Sequence, residues 1–180
     1  MKQKTERLYV AYGSNLNHQQ MAIRCPTAKY VGSGKIPNHA LAFHGVRDCA
    51  FATIVPDETQ SVPCGVWAIT SRDEQSLDTY EGVAHGHYSK AMINVDMDDG
   101  TTREALVYIM NPQMRPGVPT HAYFNTIGVG YFDCDLDCEF LKKALEDAIS
   151  VVQSEDERAE EELFEDEDMG DSEQGGMKFE

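Results

Sequence analysis

"LYVAYGSNLN", residues 8–17, is the stretch that decides how this chain is read. Leu8, Val10 and Tyr12 alternate with Tyr9 and Ala11, the period-two pattern of a buried strand. The apolar run stops at Gly13-Ser14-Asn15, and a helix is predicted over about 16–24, ended by Pro26. A strand that hands over to a helix through Gly, Ser and Asn leaves backbone N–H groups without partners inside the helix. Glycine lets a ligand approach the backbone closely, and the small polar side chains add donors. Such a loop suits a carboxylate or a developing oxyanion. A plain helix-capping turn is the other reading of the same three residues.

The remaining elements follow from pattern. Strands are expected at about 27–34, 40–45, 51–56, 63–70, 87–97 and 103–110, with 40–45 and 51–56 forming a hairpin and Asp99-Gly100 turning the last pair. "SRDEQSLDTYEG", 71–82, reads as a helix capped by Ser71 with Glu74, its Leu77 and Tyr80 turned inward, and stopped by Gly82. Residues 113–130 read as a Pro- and Gly-rich connection with an apolar patch at 122–129. Leu136, Phe140, Leu141, Ala144, Leu145 and Ala148 recur at helical spacing, so 135–152 is an amphipathic helix. The fold class is α+β with a mixed or closed sheet.

Charge divides the chain unevenly. Of the net −16, residues 153–180 carry −11 (13 acidic against two basic residues), and residues 1–152 carry −5. We therefore expect a catalytic domain over 1–152 and an acidic, disordered tail over 153–180. Solubility is the simplest role for that tail; docking of Leu163-Phe164 or Phe179 on a basic protein partner is the other. The acidic balance argues against nucleic acid, and no apolar run is long enough to span a membrane. The N-terminus reads as neither a signal nor a transit peptide. Five cysteines without a CxxC pair suggest free thiols and a cytoplasmic location. His85 and His87 form an HxH pair that falls short of a metal site, and "DCDLDCEFLKKA" from Asp133 lacks the Gly and Glu of a calcium loop. No metal or cofactor is expected. No motif sets an oligomeric state.

"VAYGSNL", "RCPTA" at 24–28, "LDTYEGV" at 77–83 followed by "HGHY", and "PTHAYFNTIGVG" at 119–130 resemble the gamma-glutamylcyclotransferase family in the same order. The resemblance spans residues 8 to about 148. It implies a small barrel-like sheet flanked by helices with a pocket at its mouth. It also implies that the α-amino group of a small-molecule gamma-glutamyl substrate attacks its own γ-carbonyl, releasing 5-oxoproline and a free amine or amino acid. Glu81 is the expected general acid and base, because such a reaction needs one carboxyl group for two proton steps. Tyr12, Gly13, Ser14, Asn15, Leu16, Tyr88 and Tyr123 are the expected substrate-binding residues. The competing function class is a non-catalytic binding protein on the same fold, its acidic tail engaging a basic partner.

Overall fold

The structure, a computed structural model, describes residues 6–170, with side chains described as far as Glu161. Five strands close into a barrel in the order β1 (Arg7–Ala11), β3 (Cys49–Ile69), β2 (Lys29–Val46), β4 (Tyr88–Met97) and β5 (Thr102–Met110). Neighbouring strands are antiparallel except β1 and β5, which run parallel where Tyr9 faces Leu106. The C-terminal ends of β1, β2 and β5 and the starts of β3 and β4 therefore share one end of the barrel. The α+β class and the barrel-like sheet expected from the resemblance are both present.

Closure follows from the side chains. Val10, Ile36, Val62, Val66, Ile69, Val95, Ala105 and Val107 are all fully buried, and β-branched residues fit the pleated wall. Four helices flank the barrel: α1 (His18–Arg24), α2 (Ser71–Tyr80), α3 (His121–Asp133) and α4 (Cys138–Gly170).

Several boundaries differ from the sequence reading. The strands expected separately at 27–34 and 40–45 are one strand, β2, and those at 51–56 and 63–70 are one strand, β3. The register slips between Pro37 and His39, which absorbs the proline without ending the strand. The helix expected at 16–24 divides into a 3₁₀ turn, Ser14–Leu16, and α1, whose N-cap Asn17 accepts from the Gln20 N–H at 3.0 Å. The capping box of α2 lies one residue earlier than expected, between Thr70 and Asp73, and Tyr80 is half exposed while Leu77 is buried.

The segment 113–130 contains α3, capped by Thr120, whose Ile127 and Tyr131 are fully buried. Helix α4 does not fray at 152. It runs to Gly170, because Glu, Arg and Ala are good helix formers and Arg158 and Ser154 bond back along the chain. The expected disorder of 171–180, and the docking roles of Leu163, Phe164 and Phe179, lie outside the residues whose structure or side chains are described. All five cysteines are free thiols. Among the described residues, no helix is long and apolar enough to cross a membrane, and no group of three His, Cys, Asp or Glu is placed to hold a metal ion.

Candidate active site

A cavity of 530 Å³ opens at the end of the barrel where β1 and β5 terminate. It brings together residues far apart in sequence: Tyr12 to Asn15 after β1, Phe51 and Ala52 on β3, Tyr80 and Glu81 at the end of α2, Tyr88 on β4 and Tyr123 on α3. The volume lies within the ~300–1,000 Å³ of sites that enclose small molecules.

Glu81 is the C-cap of α2. The chain must turn sharply behind it, and Gly82 does so at φ 63°, in the left-handed region that favours glycine. A side chain at Gly82 would also meet the His87 ring at 2.8 Å. The turn aims the Glu81 carboxylate back into the cavity, where Oε1 accepts from Asn15 Nδ2 at 3.1 Å. Burial pushes the Glu81 carboxyl up to about 7, against the opposing pull of the Arg24 charge and the Asn15 hydrogen bond.

Asn15 is buried and fully committed. Its amide donates to the Tyr9 hydroxyl at 2.9 Å as well as to Glu81, and its carbonyl accepts from Arg24 Nη1 at 2.5 Å. Arg24 also donates to Ser14 Oγ at 3.1 Å and to the Tyr80 hydroxyl, while its guanidinium stacks 3.6 Å from the Tyr80 ring centre. In the 3₁₀ turn the first hydrogen-bonded donor is Leu16 N–H, 3.0 Å from the Gly13 carbonyl. The N–H groups of Gly13, Ser14 and Asn15 precede it and have no acceptor inside the turn.

The tyrosines form the rest of the wall. The Tyr12 hydroxyl donates to the Tyr108 carbonyl at 2.6 Å. Tyr88 donates to the Ala52 carbonyl at 2.8 Å, and Tyr123 accepts from the Ala52 N–H at 3.1 Å. Their hydroxyls are held well above the ordinary phenol range, chiefly by burial, and so stay neutral. Tyr88 and Tyr123 thus line the cavity as expected, but their bonds go to Ala52 and not to Glu81.

Leu16 departs from its expected role as a substrate contact. It is fully buried beneath the loop and does not line the cavity. It packs where a methyl group on Gly130 of α3 would come within 2.6 Å of its Cβ. The sequence reading missed Arg24, Tyr9 and Tyr108. Arg24 had one signal, its place inside the "RCPTA" motif, but nothing in its spacing says that it reaches back nine residues to Asn15.

A closed barrel with Glu81 facing a Tyr-Gly-Ser-Asn loop at its mouth is thus the arrangement that comparison with known proteins places in a family. Residues 9–125 match the family described as gamma-glutamyl cyclotransferase, AIG2-like, and the chain belongs to that family. The gamma-glutamylcyclotransferase of Bos taurus is 29% identical over 148 residues, covering 76% of each chain. The gamma-glutamylcyclotransferase of Homo sapiens is 28% identical over the same length and coverage. A solved structure described as a gamma-glutamyl cyclotransferase superposes with a TM-score of 0.70 at 24% identity, over 83% of this chain and 99% of that one, a likeness of fold.

Proposed function

We propose that this protein is a gamma-glutamyl cyclotransferase that converts gamma-glutamyl amides to 5-oxoproline and a free amine, with Glu81 moving both protons. The observation that carries this reading is the half-buried Glu81 carboxyl, raised to about 7, sharing one cavity with the Gly13–Asn15 loop.

The chemistry follows from the groups present. The glutamyl α-amino group must lose a proton before it can attack. That amine stands beside a free α-carboxylate and holds its proton more tightly than a peptide amino terminus, which titrates at about 7.7–8.0, so a carboxylate raised toward neutrality is a better acceptor for it than an ordinary one. The freed nitrogen adds to the γ-carbonyl carbon and closes the five-membered ring. Negative charge builds on the carbonyl oxygen, and the N–H groups of Gly13, Ser14 and Asn15 are the donors available to it. The carbon–nitrogen bond to the departing amine then breaks as Glu81 returns the proton to that nitrogen, and the ring nitrogen gives up its second proton through the same carboxylate to the released amine, leaving the neutral lactam. Attacking and attacked atoms belong to one molecule, so holding the glutamyl chain folded supplies much of the acceleration. Arg24 keeps Ser14 and Asn15 in place for that grip.

The test is product formation. Purified protein is offered gamma-glutamyl dipeptides and gamma-glutamyl amides, and 5-oxoproline is read by mass. Glu81→Gln is expected to lower turnover by roughly 10²–10⁴, the usual contribution of a positioned acid–base group. Parent-like turnover by that variant would overturn the assignment of Glu81. Absence of product from the parent protein would return the chain to the non-catalytic reading.

A further inference from the structure

This inference rests on the cyclotransferase reading and concerns the half of the substrate that leaves. The cavity is chemically divided. Its gripping end holds the Gly13–Asn15 loop and Glu81, with Arg24 behind them. The opposite wall comes from the tip of the β2–β3 hairpin and the loop after β5, which supply Val46, Cys49, Phe51 and Met114.

The two ends are separated along β3. Ala52 lies against the gripping loop, where a methyl group on Gly13 would meet its Cβ at 3.1 Å. Cys49 is three residues nearer the tip, about 10 Å further along the strand. Phe51 is fixed edge-on against Tyr123, 5.0 Å between ring centres, yet 44% of it stays exposed, as does 72% of Val46. These are large apolar surfaces lining a cavity on the hairpin-tip side of Ala52, Phe51 next to it and Val46 beyond.

Among the described residues lining the cavity there is no lysine or arginine. Arg115, next to Met114, meets the hairpin through its backbone carbonyl, which accepts from the Gly45 N–H at 2.8 Å, and is not among the residues lining the cavity. Arg24 is committed to Ser14, Asn15 and Tyr80. Arg47, on the hairpin tip itself, is turned outward to Asp156 of α4. Lys90 is held by Glu74 and Asp78. His87 lines the cavity, but beside Gly82 and Glu81. A carboxylate on the leaving half would thus lose water against an apolar wall with no partner to replace it. Methylene groups would gain by covering the same wall.

The geometry points to gamma-glutamyl amides of uncharged apolar amines, alkyl or aralkyl, as the preferred substrates, ahead of gamma-glutamyl amino acids and peptides whose leaving half carries a carboxylate. Val46, Phe51 and Met114 are the residues that set this preference.

The test is a matched series. The kcat/KM for 5-oxoproline release is measured on gamma-glutamyl amides of methylamine, propylamine and pentylamine, and on gamma-glutamylglycine and gamma-glutamylnorleucine. The pentylamine and norleucine compounds differ only by the carboxylate. Along the amine series kcat/KM is expected to rise roughly fourfold per buried methylene, with the pentylamide ahead of the norleucine compound. Phe51→Ala should flatten the rise. Val46→Lys, at an exposed position, should improve the norleucine compound relative to the pentylamide. A series that does not rise with chain length, or a parent protein that prefers gamma-glutamylnorleucine, overturns this proposal and leaves the cyclotransferase reading standing. No product from any compound overturns both.

Discussion

Asn15 and Glu81 are joined by a 3.1 Å hydrogen bond across the mouth of the barrel, and the same Asn15 amide also holds the Tyr9 hydroxyl at 2.9 Å. Asn15 donates, so it favours the charged form of the carboxyl. Burial favours the neutral form and is the larger influence. The balance leaves Glu81 poised near neutrality, and its consequences are measurable in both rate and stability.

Rate should rise with pH through about 7, because the carboxylate is the form that takes a proton. Stability should move the other way. The folded state holds the Glu81 proton between 4.5, the ordinary value, and about 7, while the unfolded state has released it. Stability is therefore lost as pH rises through that window, by up to about 3 kcal/mol for a shift of about 2.5 units. Glu81→Gln removes this loss. Urea denaturation at pH 8 should find the variant at least as stable as the parent, with the gap closing toward pH 4.5. A variant less stable at pH 8 than at pH 5, relative to the parent, would contradict the buried placement of the carboxyl.

Arg24 acts through Asn15 and Ser14 and is a positioning residue. Its charge also holds the Glu81 carboxyl down. Arg24→Ala should shift the acid limb of the pH–rate profile upward and lower kcat/KM at pH 7 by roughly tenfold or more, the worth of hydrogen bonds from a charged donor. Arg24→Lys should restore the limb but not KM, since an ammonium cannot reproduce the guanidinium fork. An unmoved limb in Arg24→Ala would show that its charge is not felt at Glu81.

Helix α3 meets the loop at Gly130, where an added Cβ would lie 2.6 Å from both the Asn17 nitrogen and the Leu16 Cβ. Backbone cannot yield at that distance. Gly130→Ala should cost about 1–3 kcal/mol and lower kcat/KM as the loop is displaced. Gly128→Ala, two residues away with nothing within 4 Å, should instead stabilise by about 0.5–1 kcal/mol through helix propensity. Thermal melting of the pair distinguishes packing from propensity.

The acidic end of α4 touches the barrel through the exposed Arg47–Asp156 pair. Truncation after Val152 removes that contact and none of the cavity lining. Exposed pairs contribute little, so kcat/KM should stay within about twofold of the parent, and any difference in stability should vanish in high salt. A larger loss would show that the helix holds the hairpin tip in place.

Much of the site is legible in the chain because its two halves are local. The Tyr12–Asn15 loop announces itself by interrupting a strand, whereas Glu81, standing before a glycine that stops a helix, is singled out by the family resemblance and not by its local pattern. What stayed hidden depends on long-range packing. Helix α3 has an apolar, glycine-containing sequence with Pro119 ahead of it, and Phe132 is 83% exposed while Ile127 and Tyr131 are buried. Its Gly130 fits closely against Leu16, a contact no local pattern carries. Pro37 falls between the strands expected at 27–34 and 40–45, and Pro56 and Pro63 at the edges of those expected at 51–56 and 63–70, yet all three lie within the long hairpin, where pairing on either side outweighs the donors they lack. Leu16 was misassigned because a motif names a segment without saying which side chains face in.

The 18 residues of β2 and 21 of β3 form one long hairpin, its register shifting at Tyr30/Gly32 and Pro37/His39, whose roots are staves of the barrel and whose tip walls the cavity. Thermodynamic stability and molecular discrimination are thereby written into opposite ends of the same ribbon. Mutations near Val46 and Cys49 fall on an exposed turn and leave the enclosed sheet untouched.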